Sequence, residues 1–126
     1  MGGWRGAETE ASVTELVKTQ VERARHVDIS VVLPAHNEAE SLEGVHRELV
    51  SVLKEMKASW EIIFVDDGST DATRNVLAGL CGGGTRAVIL GRNFGQTSAL
   101  SAGIDESRGS IIVTMDADGQ NDPADI

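Results

Sequence analysis

The sequence has few of the features that mark secreted, membrane-spanning or nucleic-acid-binding proteins. Its 126 residues include one cysteine, Cys81, which cannot form an internal disulfide and so indicates a reducing compartment or no redox constraint. Eleven basic residues against twenty acidic ones give a net charge of −9, which argues against binding to the phosphates of nucleic acid. No apolar run approaches the roughly 20 residues that span a bilayer. We therefore expect a cytoplasmic protein without a nucleic-acid partner.

Aromatic residues make up 3% of the chain, so its core must consist of Val, Ile, Leu and Ala. The length allows a single domain, in which continuous apolar runs alternate with stretches of helical apolar spacing. Strands are predicted over 28–33, 60–65, 86–90 and 110–115, and helices over 42–56, 71–80 and 96–107. This alternation predicts the α/β class, with a Rossmann-like parallel sheet and helices on both faces.

Two segments precede this predicted domain, which covers residues 28–126. Residues 1–10 are rich in glycine and show no periodicity, so we expect a flexible tail there. Residues 11–27 begin with a capping-box spacing, Ser12 and Glu15, and carry apolar side chains on one stripe. That pattern predicts an amphipathic lead-in helix.

Polar side chains cluster directly after each predicted strand. The four clusters are residues 34–38, 66–70, 91–95 and 116–120. The carboxyl ends of parallel strands form one rim of an open sheet, and ligands bind at that rim. We therefore expect the four clusters to line a single crevice.

The last cluster has the composition of a metal site. Asp116 and Asp118 are two residues apart, so an extended backbone would point both side chains the same way, and Gln120 continues the row. Oxygen ligands of this kind suit Mg²⁺ or Mn²⁺, and a cation would be needed for a diphosphate that carboxylates alone would repel. The alternative is a polar turn and helix cap before Pro123.

The other clusters each allow two interpretations. Asp66 and Asp67 place two like charges at a strand end, a cost that ligand binding would relieve, although the residues after them also fit a turn and a helix cap. The carboxylate of Glu38 would be stabilised by the dipole of the helix that follows it, whether or not it contacts a ligand. Arg92 either binds phosphate or pairs with a neighbouring acid.

Two common phosphate-binding motifs are absent, because no Gly-x-Gly-x-x-Gly follows the first strand and no Gly-Lys-Ser or Gly-Lys-Thr occurs. The clusters at 34–38 and 65–70 and the D-x-D aspartates instead resemble, in order and spacing, family 2 glycosyltransferases of the GT-A fold. The likeness covers residues 28–126, the nucleotide-sugar-binding half of such enzymes. The stretches 92–95, 99–103 and 115–120 look most like the polyprenyl-phosphate branch, which includes dolichol-phosphate mannose synthases and undecaprenyl-phosphate glycosyltransferases.

The resemblance implies a metal-dependent glycosyltransferase that moves a sugar from a UDP- or GDP-linked donor to a lipid phosphate. It also implies a partial GT-A fold with the sheet order 3-2-1-4. The predicted nucleotide-binding residues are Pro34, His36, Glu38, Asp66 or Asp67 at the base or ribose, Arg92 and Asp116. The predicted ligands of Mg²⁺ or Mn²⁺ are Asp116, Asp118 and Gln120.

Members of this family continue with acceptor-binding elements and, in this branch, often with helices that attach to membranes. By this resemblance the chain alone is a truncated, donor-binding fragment that transfers little or no sugar, and its full-length form lies at the membrane surface. A sheet that ends at its fourth strand predicts self-association through an open edge or face. Two other functions stay open: a receiver-like signalling module built on Asp66, Asp67 and Asp116, and a non-catalytic scaffold.

Overall fold

The computed structural model describes residues 26–117, in which four strands alternate with three helices. The strands are β1 (Val27–Ala35), β2 (Trp60–Asp67), β3 (Thr85–Leu90) and β4 (Gly109–Thr114), and the helices are α1 (Ala39–Glu55), α2 (Thr73–Leu80) and α3 (Gln96–Glu106). Neighbouring strands are parallel, and their order is β3-β2-β1-β4. The predicted α/β class and the 3-2-1-4 order are confirmed.

Most predicted boundaries differ from the structure by one to three residues. β1 begins at Val27, which pairs with Gly109 of β4, so the lead-in helix cannot extend to residue 27 as predicted. β2 continues two residues past its predicted end, to Asp67, because its backbone stays paired with β3. The predicted tail, the rest of the lead-in helix, Asp118 and Gln120 all lie outside the described residues.

One face of the sheet is covered by α1 and α2. Successive strand residues point to opposite faces, and on this face Val31, Leu33 and Phe64 are fully buried. They pack against apolar side chains of α1 that recur every three or four residues. The buried residues of α1 are Leu42, Val45, Leu49 and Leu53.

The opposite face is covered by α3, which has small residues where it contacts the sheet. Ala99 is fully buried and packs against Val32, Ile63 and Val65. A side chain at Gly103 would overlap Val32 and Val65. The backbone of α3 therefore lies close to the strands. This close packing sets the distance of both ends of the helix from the sheet.

The carboxyl end of α3 is held by a buried carboxylate at the amino end of the sheet. Glu61, 3% exposed, accepts hydrogen bonds from Ser30 Oγ at 2.6 Å, Arg108 N at 2.7 Å and Arg86 Nη2 at 2.8 Å. Arg86 Nη2 also donates to the carbonyl of Glu106, the last residue of α3, at 2.6 Å. Burial raises the pKa of Glu61, but these hydrogen bonds and the Arg86 charge outweigh it and hold the pKa below its usual value.

β3 and β4 are the edge strands of the sheet within residues 26–117. Ile111 of β4 is 60% exposed, and Ile112 and Ile89 are also exposed. Self-association through such an edge stays a prediction. No helix in the described part of the chain is both long and apolar enough to cross a bilayer.

Candidate functional site

A cleft of about 300 Å³ opens at the carboxyl ends of the strands. Each of the four predicted clusters contributes to it, so the expected convergence at one rim is what the structure shows for their described residues. The cleft is lined by Pro34, Ala35, His36, Glu38, Asp67, Asn93, Gly95, Gln96, Asp116 and Ala117.

The loop after β1 is tied to the loop after β2 by Asn37. Its backbone has a φ of 55°, and in this conformation its side-chain Oδ1 accepts hydrogen bonds from the backbone N–H groups of Thr70 at 2.8 Å and Asp71 at 3.3 Å. Its own N–H donates to Ser69 Oγ at 2.9 Å. Asn37 therefore fixes one loop against the other and places its neighbours, His36 and Glu38, at the cleft.

Glu38 precedes the first residue of α1 and is half-buried. Its backbone N–H donates to Thr73 Oγ1 at 2.8 Å. Hydrogen bonds from the hydroxyl and the backbone N–H of Thr73 in turn lower the pKa of Asp71. The amino ends of α1 and α2 are thus joined beside the cleft. Asp71 Oδ1 accepts a hydrogen bond from the N–H of Thr73, the first residue of α2, at 2.9 Å, but the residue directly before that helix is Ala72, whose side chain makes no capping hydrogen bond.

Asp66 and Asp67 point to opposite faces of the sheet. Asp66 is fully buried on the α2 side, where it accepts hydrogen bonds from Ser69 N at 3.1 Å and Arg74 Nε at 3.3 Å. It does not line the cleft. Asp67, 4% exposed, lies on the α3 side and does. The two charges therefore have separate protein partners, which offsets the cost of placing them side by side.

The carboxylate of Asp67 holds the loop that leads into α3. It accepts hydrogen bonds from Phe94 N at 2.7 Å and Gly95 N at 3.0 Å. Gly68 allows this approach, because its φ is +68° and a Cβ there would overlap the backbone of Arg92 and Asn93. The turn after β2 and the cluster at residues 91–95 are thus packed against each other.

Arg92 is exposed and is not among the residues that line the cleft. Its guanidinium lies over the ring of Phe94, 4.6 Å from the ring centroid. The structure therefore gives Arg92 an aromatic partner, which neither interpretation of the sequence anticipated.

His36 is held by two neighbouring loops. Its Nδ1 lies 2.8 Å from the carbonyl oxygen of Asp67, and because a carbonyl can only accept, we assign the proton to Nδ1. Asn93 Nδ2 lies 3.1 Å from Nδ1 and 3.2 Å from Nε2, and with the proton on Nδ1 it is Nε2 that can accept a hydrogen bond from it. The imidazole is oriented at the mouth of the cleft.

Asp116 is exposed at the cleft, and its Oδ1 accepts a hydrogen bond from Gln96 Nε2 at 3.2 Å. The following residue, Ala117, is 2% exposed, and its carbonyl accepts a hydrogen bond from Ser41 Oγ at 2.6 Å. Among residues 26–117, no group of three or more His, Cys, Asp or Glu side chains is arranged to hold a metal ion. The other two predicted metal ligands, Asp118 and Gln120, are not described.

Four contributors to this site were not singled out in the sequence. Asn37 and Asn93 lie inside the recognised clusters, so their position after a strand was an available signal. Gln96 is the first residue of the predicted helix that follows the third strand, so its position also indicates this rim. Ser41 lies in α1, and nothing in its sequence context indicates that it reaches the turn after β4.

Comparison with known proteins gives a family and a set of relatives. The model of glycosyl transferase family 2 matches residues 30–126. The chain is 41% identical over 118 residues to the dodecaprenyl-phosphate galacturonate synthase of Rhizobium johnstonii, covering 91% of this chain and 35% of that protein. It is 43% identical over 101 residues to the undecaprenyl-phosphate 4-deoxy-4-formamido-L-arabinose transferase of Pseudomonas fluorescens, covering 78% and 30%. The chain thus spans about a third of the length of these relatives.

Solved structures share the fold. A mannosyl-3-phosphoglycerate synthase from Rubrobacter xylanophilus superposes with a TM-score of 0.64 at 24% identity, over 79% of this chain and 33% of that one. A mannosyltransferase from Pyrobaculum calidifontis, in complex with GDP-Man and Mn²⁺, superposes with a TM-score of 0.60 at 25% identity, over 74% and 28%.

Proposed function

The chain belongs to glycosyl transferase family 2, and from that premise we propose that it forms the donor-binding part of a metal-dependent enzyme that transfers a sugar from a nucleotide to a polyprenyl phosphate. The observation that carries the proposal is the cleft, where His36, Glu38, Asp67 and Asp116 come together from three separate strand ends. Family membership also favours this function over the receiver-like module and the scaffold.

The charge of the cleft supports a need for a cation. Glu38, Asp67 and Asp116 line it, and a nucleoside diphosphate brought to these carboxylates would be repelled. A divalent cation between carboxylate and phosphate oxygens reverses that sign. Asp116 fits such a role because it is exposed and offers the hard oxygen ligands that Mg²⁺ and Mn²⁺ prefer.

Asp118 and Gln120 would complete the ligand set with Asp116, and when bound the cation would neutralise the diphosphate as it leaves the sugar. The Pyrobaculum calidifontis neighbour was solved with GDP-Man and Mn²⁺, which is consistent with divalent metal use on this fold.

The remaining cleft residues suit the nucleotide. Pro34 and the oriented His36 ring would line its pocket, and Glu38 would lie beside them. Of the two acids predicted at the base or ribose, Asp67 is the one that reaches the cleft, whereas Asp66 is buried beside Arg74. Arg92 lies outside the lining of the cleft and stacks on Phe94, so this cleft gives its predicted phosphate contact no direct support.

The lipid-phosphate acceptor is inferred from the relatives, whose names specify dodecaprenyl and undecaprenyl phosphates. Those proteins extend well beyond the region matched here, and we assign acceptor binding to the part that this chain does not cover. A full-length protein acting on such lipids would work at the membrane surface. The 126-residue chain should accordingly bind donor while transferring little sugar.

Isothermal titration of the chain with UDP and with GDP, each with and without Mn²⁺, tests the proposal. We expect one of the nucleotides to bind, more tightly with Mn²⁺, and Asp116→Asn to abolish the effect of the metal. Asp105→Asn is the matched control, since Asp105 is an exposed aspartate on α3. No heat at millimolar nucleotide from a folded sample would refute the proposal.

A further inference from the structure

The turn after β4 is contacted by one helix from each face of the sheet. From α1, Ser41 Oγ donates to the carbonyl of Ala117 at 2.6 Å. From α3, Gln96 Nε2 donates to Asp116 Oδ1 at 3.2 Å. One contact fixes the backbone next to Asp116, and the other fixes its carboxylate.

The position of Gln96 is determined by the packing of α3. The two residues before it, Phe94 and Gly95, donate their N–H groups to the buried carboxylate of Asp67. Further along the helix, Ala99 and Gly103 lie directly against the sheet. Hydrogen bonds therefore hold the backbone before Gln96, and packing against the sheet holds the helix after it. This arrangement places the Gln96 amide near Asp116 before any ligand binds.

Ser41 acts on the other side of the turn. Its hydroxyl has one proton, and Ala117 O at 2.6 Å is a closer acceptor than Glu38 O at 3.2 Å. Ala117 is buried in the core under α1, so the carbonyl that Ser41 contacts belongs to a well-packed residue. The backbone after Asp116 is therefore restrained together with the side chain.

We propose that Ser41 and Gln96 are positioning residues that orient the Asp116 carboxylate for the cation of a metal–nucleotide complex. The proposal rests on the proposed function. Both donors are uncharged, so Gln96 restricts the carboxylate and Ser41 restricts the backbone beside it without neutralising the charge that attracts a cation. Partners of metal ligands act in this way in many sites, and their loss commonly weakens metal binding at least tenfold.

The test compares nucleotide affinity with and without Mn²⁺ in Gln96→Met and Ser41→Ala. Methionine keeps the length of Gln96 and removes its donor. We expect each variant to weaken Mn²⁺-dependent binding of UDP or GDP about tenfold, and to weaken metal-free binding by a smaller factor. Ser41→Ala should also lower Tm, because it removes a hydrogen bond to the carbonyl of the buried residue Ala117. Ser41→Thr, which keeps the hydroxyl, should restore affinity, and Ser101→Ala serves as the control because Ser101 is exposed on α3.

The outcomes separate the two proposals. If the unmodified chain shows no metal-dependent binding, the proposed function fails and this inference fails with it. If the unmodified chain binds and both variants match it, only the positioning role is refuted. Equal losses with and without Mn²⁺, accompanied by a lower Tm, would also refute it, because they would mark Ser41 and Gln96 as residues needed for folding alone.

Discussion

Replacing Asp67 by alanine should release the loop that leads into α3. The Asp67 side chain is 4% exposed and accepts hydrogen bonds from Phe94 N at 2.7 Å and Gly95 N at 3.0 Å. These contacts connect the end of β2 to the first turn of α3, and so to Gln96 at the cleft. Loss of the carboxylate therefore perturbs both stability and the local order of the rim.

The size of the effect follows from the two hydrogen bonds. Each bond to a charged acceptor contributes about 1.5–3 kcal/mol when its loss leaves the donor unsatisfied. Phe94 is 49% exposed, so water replaces part of the loss at its N–H, and removal of a buried carboxylate relieves its own desolvation. We expect Asp67→Ala to lower the free energy of unfolding by about 2 kcal/mol, and Asp67→Asn by about 1, since the amide oxygen still accepts one bond.

Urea unfolding measures the global effect, and amide hydrogen exchange at Phe94 and Gly95 measures the local one. Asp105→Ala removes an equal charge from an exposed position on α3 and provides the control. Faster exchange at Phe94 and Gly95 in Asp67→Ala, without a change in Asp105→Ala, is the expected result. A loss below about 0.5 kcal/mol with unchanged exchange at both amides would refute the reasoning, because an exposed substitution produces no more than that.

Three further predictions concern the rest of the fold. Glu61 has a lowered pKa in the folded chain, so its contribution to stability is present above the unfolded pKa of about 4.3 and is lost as the pH falls through the folded value. Glu61→Gln should therefore make the free energy of unfolding fall less steeply as the pH is lowered. Urea unfolding at a series of acidic pH values measures this, and an equally steep fall in the variant would contradict it. Gly103→Ala should destabilise the chain by about 1–3 kcal/mol through overlap with Val32 and Val65. Gly79→Ala, in open space on α2, should be neutral or stabilising by up to about 1 kcal/mol, so equal thermal shifts for the two would disprove the packing argument. Ile111 is exposed on an edge strand, so light scattering should show association that rises with concentration and is reduced by Ile111→Lys; a constant monomer mass for the parent chain would rule it out.

The strands and their order could be predicted because parallel strands buried on both faces are continuous apolar runs. Most ends of the elements could not. The apolar run of β2 stops at Val65, yet the backbone stays paired through Asp66↔Ile89 and Asp67↔Leu90. Composition marks where burial of apolar side chains stops, whereas the end of a strand depends on backbone hydrogen bonds to a neighbour distant in sequence.

The same distinction explains what the sequence could predict of the site. The described part of each of the four clusters contributes to the rim, because the position of a residue after a strand determines the rim to which it belongs. The roles of individual side chains depended on neighbours: Asp66 meets Arg74, and Arg92 meets Phe94. The contact of Ser41 with Ala117 spans 76 positions and has no local signal.

One face of β2 accounts for much of the geometry of the cleft. Its alternating residues on the α3 side are Glu61, Ile63, Val65 and Asp67, with a carboxylate at each end and apolar residues between them. Glu61 binds the backbone just after α3, Asp67 binds the backbone just before it, and the two apolar residues contact its small-residue surface. A helix held at both ends and in the middle cannot slide along the sheet, so Gln96 is fixed relative to Asp116. The acidic residue at the base of the sheet therefore contributes to the orientation of a carboxylate at its opposite end.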